Sequence, residues 1–280
     1  MRVTVRRRRK PLPMHLKRWL TGIIAVPALI FIIGPGPRWL FYTLIFLFTI
    51  IGLLEYFRIT SPTLPTPIKM VCFTLTFILF FLISQGPFLM ILSVASLWVI
   101  VPLSFYLFFF PDQRGYAIEE MGKIVFGLIY ICVPLGLLIF IDKHPKGNIW
   151  IFFLLFVIFM TDTGAFYVGR FFGRHKLYPS VSPGKTWEGA IGGFLCGLFA
   201  VILFSYFFTG YRDNLYVWIL AAVLSVLSQV GDLAESMLKR NYGVKDSGRI
   251  LPGHGGVLDR IDGLLFAIPV LYIFLTWSVS

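Results

Sequence analysis

Long apolar runs, each near the length of a lipid-crossing helix and cut by short Gly/Pro or charged connectors, dominate the chain. A span needs about 20 mostly apolar residues to cross roughly 30 Å of hydrocarbon, because only a helix satisfies its own backbone there. Nine segments fit: about 19–33, 38–57, 68–83, 88–110, 124–141, 149–168, 187–209, 215–235 and 264–279, of which the first and third are short. "GPGP" at 34–37 and "SPTLPTP" at 61–67 read as tight connectors. No repeat of fixed period is evident, which counts against an inverted-repeat transporter. The pattern predicts an all-α, polytopic integral membrane protein with about nine transmembrane helices.

Composition agrees: 58% hydrophobic and 18% aromatic residues in 280 exceed what a globular core requires. A formal charge of +12 would suggest nucleic acid in a soluble chain, but eight of the positive residues lie within positions 1–18. That basic tail reads as a cytoplasmic anchor beside anionic lipid, and no nucleic-acid partner is expected. "TGIIAVPALIFIIGPGP" offers no convincing small-x-small cleavage site, so a secretory signal is not expected. With the N-terminus inside and all nine segments crossing, the inner side collects 21 of the 25 Lys and Arg, and the outer side keeps Arg38, Lys143, Lys146 and Arg212. This asymmetry predicts a cytoplasmic N-terminus in a cytoplasmic (inner) membrane. Cys72, Cys132 and Cys196 stand singly in apolar runs and read as packing residues.

The 13 acidic residues can be taken one by one. Glu55, Asp112, Glu119, Glu120, Asp142 and Asp213 sit at expected span ends or loops and read as solvated charge. Asp162, Glu188, Asp232, Glu235, Asp246, Asp259 and Asp262 all lie in the last 120 residues, near the expected inner face. Asp162 and Asp232 fall inside the ends of apolar runs, where an ionisable group normally faces a partner or a water-filled cavity. Asp232, Glu235, Ser236, Lys239 and Arg240 recur at helical spacing, giving one face carboxylates and then cations; a structural ion-pair ladder and a polar cleft are both open.

Two connectors carry candidate phosphate chemistry. In "SVSPGKTWEG", Ser182, Gly184, Lys185 and Thr186 precede an expected helix start, where free backbone N–H groups attract anions. A Walker A loop is rejected, since it would need glycine where Pro179 stands. In "KRNYGVKDSGRILPGHGGVLDRIDG", Lys245 beside Asp246 offers a cation for phosphate and a hard oxygen for Mg²⁺. Gly255 and Gly256 beside His254 permit close backbone approach, and Asp259 and Asp262 lie three apart around Arg260. The combination points to a metal-phosphate site.

The run Ser236-x-Leu238-Lys239-Arg240, then Lys245-Asp246-x-Gly248, then Leu251-Pro252-x-His254-Gly255-Gly256-Val257-x-Asp259-Arg260-Ile261-Asp262 resembles the signature of the phosphatidate cytidylyltransferases, the CDP-diacylglycerol synthases. "TDTGAFYVGR" and "SPGKTWEG" are similar to that family's accompanying blocks, so the likeness covers roughly 160–263. It implies that CTP and phosphatidate, in contact with membrane lipids, give CDP-diacylglycerol and pyrophosphate with Mg²⁺ and room for a second metal ion. On this reading Asp246 is the first metal ligand and Asp232 the next, with Asp259, Asp162 and Asp262 as further ligands or orienting groups. Lys239, Arg240, Lys245, Arg260, Lys185 and His254 hold phosphates, and Ser182, Thr186, Ser236, Gly255 and Gly256 complete substrate binding.

Three parts follow: a basic tail at 1–18, N-terminal helices at 19–148 that form either a lipid-holding wall or a homodimer face, and a catalytic region at 149–280. A CTP-dependent lipid kinase, with His254 as base, is the alternative enzyme. A cation-coupled transporter would place Asp162 and Asp232 along a path but leaves the charged Gly-His-Gly-Gly segment unexplained. CDP-alcohol phosphotransferases are set aside because Asp262-Gly263 is followed by "LLFAIP".

Overall fold

A computed structural model describes residues 26–85, 88–109, 114–208, 214–248 and 255–278. A helix α1 runs through 26–33 and is followed by α2 (Arg38–Thr60), α3 (Thr66–Gln85), α4 (Phe88–Phe109) and α5 (Arg114–Gly127). One π-helical turn, Leu128–Cys132, joins α5 to α6 (Val133–Lys143). Pro134, just beyond it, has no N–H to give the carbonyl one turn back, so the ladder cannot continue unbroken. Then come α7 (Gly147–Phe172), a hairpin of β1 (Lys176–Tyr178) and β2 (Ser182–Thr186), and α8 (Trp187–Phe207), α9 (Leu215–Asn241) and α10 (Leu258–Ser278).

Among the described residues seven helices are long and apolar enough to cross a membrane: α2, α3, α4, the joined α5–α6, α7, α8 and α9. They correspond to the second to eighth of the nine expected spans. The expected first span is described only over 26–33, and α10 opens with the charged Asp259, Arg260 and Asp262. Helix α7 runs four residues past its expected end, and α9 six. Asp162 and Asp232 therefore sit two to three turns inside their helices, not at helix ends.

The C-terminal helices pack most closely, α7 against α8 above all. Small residues make this possible. At Gly193 an added Cβ would lie 2.7 Å from the Thr161 carbonyl oxygen, at Gly189 2.9 Å from that of Ala165, and at Gly197 2.6 Å from the Thr161 hydroxyl. These glycines recur every four residues and line one face of α8, the small-xxx-small pattern that lets helix backbones meet where lipid supplies no hydrophobic drive. Thr161 donates to Ser225 on α9 at 2.9 Å, tying the third helix in.

Contacts between distant segments mark two ends of the bundle. At one, Arg38 pairs with Asp142 at 2.9 Å and Lys143 Nζ caps α3 through the carbonyls of Ile83 (2.8 Å) and Ser84 (2.7 Å). Asp142, whose side chain is 2% exposed, is thus an ion-pair partner rather than a solvated charge. At the other end, Tyr56 donates to the Lys123 carbonyl at 3.0 Å, and Glu55 meets the start of α10. Cys72 and Cys132 are buried packing residues, as expected.

Candidate active site

Where the sequence led us to expect a loop before α8, a short antiparallel hairpin pairs Lys176 with Thr186 and Tyr178 with Ser182. Its end is fixed by capping. Thr186 accepts from Gly189 N at 3.1 Å, satisfying one of the free donors of the first turn of α8. Glu188 reaches back to accept from Arg174 N (3.1 Å) and His175 N (3.2 Å), and its carboxylate meets His175 Nδ1 at 2.6 Å. The Ser-Pro-Gly-Lys segment is thereby laid across the ends of α7 and α9.

Between these elements lies a cleft of about 460 Å³. Asp162 and Arg170 line it from α7, Ser182 and Lys185 from the hairpin, Thr186 and Gly189 from the start of α8, and Gln229 and Asp232 from α9. Lys185 Nζ lies 2.7 Å from Asp232 Oδ2. Nζ is inaccessible and makes no aligned hydrogen bond, so the contact is an ion pair by proximity. Gln229 is held by donating to the Ala190 carbonyl at 3.3 Å. Asp162 and Asp232 are close enough for their charges to repel, and Asp262 feels both.

Among the described residues, no three His, Cys, Asp or Glu side chains form a ready-made metal cage. Mg²⁺ does not require one, since it keeps waters and takes one or two carboxylates with substrate phosphates. Asp162 and Asp232, hard oxygen donors on one cleft, fit that demand. The Lys185 ammonium beside Asp232 stands where positive charge is wanted.

A second cluster lies at the α9–α10 junction. Lys239 bridges Glu235, one turn earlier on α9, and Asp259 Oδ1 at 2.7 Å. Asp259 also accepts from Ser247 N (3.1 Å) and Gly256 N (2.8 Å), so its oxygens are already occupied. Gly255, at φ 83°, makes the turn that an L side chain would resist, and the carboxylate of Asp259 sits where its Cβ would point. The α9 charges thus divide: Glu235 and Lys239 form the structural ladder, while Asp232 faces the cleft.

The remaining expected residues take several positions. Ser236 is half-buried one turn beyond Asp232 and does not line the cleft. Arg240 spends its guanidinium on the carbonyls of Val181 (3.3 Å) and Val244 (3.2 Å), joining the hairpin to the end of α9. Lys245 and Asp246 are exposed and do not line the cleft, so the expected ligand pair has its second member, Asp232, in the cleft and its first outside the lining. Arg260 is exposed near enough to Asp162 for their charges to interact, and Asp262 accepts from Gly263 N at 2.7 Å. His254 lies outside the described residues.

Sequence reasoning missed Arg170, Gln229 and Glu55. Gln229 stands three residues before Asp232 on one helix face, and Arg170 stands eight after Asp162, so helical spacing could have found both. Glu55 was expected to be a solvated charge; it is completely buried. A lone carboxylate in "IGLLEYFRIT" was itself the signal, because membrane depth makes an ionisable residue costly unless it has a partner.

Bundle and cleft together define a polytopic helical membrane protein with opposed carboxylates and cations at one end. A model of the cytidylyltransferase family matches residues 16–278. A phosphatidate cytidylyltransferase of Staphylococcus aureus (strain COL) is 38% identical over 198 residues, covering 69% of this chain and 73% of that one. Enzymes of the same name from Staphylococcus haemolyticus (47% over 146 residues) and Staphylococcus epidermidis (44% over 143) each cover 51% of this chain and 55% of their own length. The chain belongs to the cytidylyltransferase family and is a CTP-dependent nucleotidyltransferase.

Proposed function

We propose that the protein transfers the CMP moiety of CTP to phosphatidate at the cytoplasmic membrane face, with Mg²⁺, giving CDP-diacylglycerol and pyrophosphate. The observation that carries this reading is the cleft itself, where Lys185 and Arg170 share walls with Asp162 and Asp232 beside the N-terminus of α8. The names of the similar enzymes support phosphatidate as acceptor. Of the Lys and Arg, 21 of 25 fall on one side of the expected topology, which supports a cytoplasmic site.

A phosphate oxygen of the lipid attacks the α-phosphorus of CTP, and the bond to the oxygen bridging to the β-phosphate breaks. That oxygen leaves with the electron pair as pyrophosphate. The attacking oxygen is already ionised at neutral pH, so no strong base is needed. What must be managed is charge, since two polyanions meet. Lys185 and Arg170 hold phosphate oxygens, while Ser182 and the α8 N-terminus offer further donors. Mg²⁺ held by Asp232 and Asp162 would neutralise charge developing on the triphosphate. Asp262 lies within electrostatic reach of this pair, and Arg260 approaches Asp162 from the first turn of α10. Lys245, Asp246 and His254 would meet the substrates once these are bound. Lys239, Arg240, Asp259, Ser236, Gly255 and Gly256 shape that connection.

The test uses CTP labelled at the α- or γ-phosphate, supplied outside sealed inverted vesicles that contain the enzyme and phosphatidate. Label from the α-position is expected in lipid and label from the γ-position in pyrophosphate. Transfer of γ-label to lipid with release of CDP would establish a kinase instead, and turnover only in right-side-out vesicles would reverse the proposed face.

A further inference from the structure

We infer that Glu55, on α2 in the N-terminal half, is a positioning residue that holds the start of α10 and the loop after α9 in register for the reaction. Its carboxylate is fully buried, and burying such a group is costly unless its oxygens are hydrogen-bonded. All its hydrogen-bond partners among the described residues come from about 200 positions further along the chain. Leu258 N donates at 2.8 Å, Val257 N at 3.1 Å and Ser247 Oγ at 3.2 Å.

Leu258 is the first residue of α10, so Glu55 supplies from another helix the acceptor that an N-cap normally supplies locally. Its charge also suits the positive end of the helix dipole. The enclosure is tight: a Cβ at Gly248 or Gly256 would collide with the Glu55 carboxylate. Ser247 extends the network, since its hydroxyl accepts from Asp259 N at 3.3 Å. Glu55 therefore acts through the start of α10, which carries Asp259 to Lys239 and brings Arg260 and Asp262 within electrostatic reach of Asp162.

This role rests on the cytidylyl transfer proposed above, and the experiment separates the two. Hydrogen exchange is measured on wild type, Glu55→Gln and Ser247→Ala, beside kcat and KM for CTP normalised to folded protein. Glu55→Gln is expected to lose protection at Val257 and Leu258 while α9 keeps its own. Its kcat and kcat/KM should fall together by roughly tenfold to a hundredfold, with KM moving less than about threefold, as for a misplaced reacting group. Ser247→Ala should give a smaller drop, and the double variant should be no worse than Glu55→Gln alone, because both remove one network. Unchanged protection at Val257 and Leu258 would overturn the anchor whatever the reaction proves to be. Lost protection with wild-type turnover per folded molecule would leave Glu55 a structural residue only. A wild-type protein that makes no CDP-diacylglycerol would overturn the proposed reaction while leaving the exchange result to judge the anchor.

Discussion

Lys185 has two anionic demands on it. Without substrate it neutralises Asp232 from 2.7 Å, and in the proposed reaction it also meets the triphosphate. A charge-assisted hydrogen bond from Nζ to a phosphate oxygen is worth about 1.5–3 kcal/mol. Lys185→Ala is therefore expected to raise KM for CTP by roughly tenfold or more, read from initial rates at saturating phosphatidate. An unchanged KM would remove Lys185 from nucleotide binding. The residue types at this site were legible from the sequence because each is expensive in an apolar run, as Asp162 and Asp232 are. Their division of labour was not. Asp232 and Glu235 stand three apart on one helix, and while Glu235 finds Lys239 one turn on along α9, only packing against the hairpin brings Asp232 to Lys185 and the cleft.

Helices α7 and α8 form the back of the cleft, and the cleft's width depends on how closely they approach. Gly189, Gly193 and Gly197 set that approach, since a side chain at any of them would meet backbone or polar atoms of α7 or α9 within 3 Å. Gly193→Val should push α8 off α7, lowering the yield of folded protein in detergent and the midpoint of thermal unfolding by several degrees. A variant with wild-type melting would contradict the packing account. The helices themselves were legible as apolar runs, and seven of the expected spans reappear as helices able to cross a membrane. The β1–β2 hairpin was not. Its strands are three and five residues long, too short for any period to register, and "SPGKT" carries the turn chemistry of a loop.

Taken whole, the chain divides less cleanly than its sequence suggests. The signature residues cluster at the C-terminal end, yet the segment around Ser247 and Leu258 closes on Glu55 of α2. A contact spanning some 200 residues leaves no trace in local pattern, which is why the N-terminal helices read only as a lipid-holding wall or a homodimer face, with no link to the site. The bundle brings distant, individually unremarkable residues to one end, where a membrane-bound phosphate and a water-soluble nucleotide can meet. The proposed reaction requires that the two meet in the cleft between α7, the hairpin and α9. Asp232→Asn keeps the side chain's shape and removes its charge, so its turnover of CTP into CDP-diacylglycerol across a Mg²⁺ titration tests that claim most directly. We expect kcat per folded enzyme to fall on the order of 10²-fold, with more Mg²⁺ needed for the activity that remains. Turnover and Mg²⁺ dependence close to wild type would contradict the account.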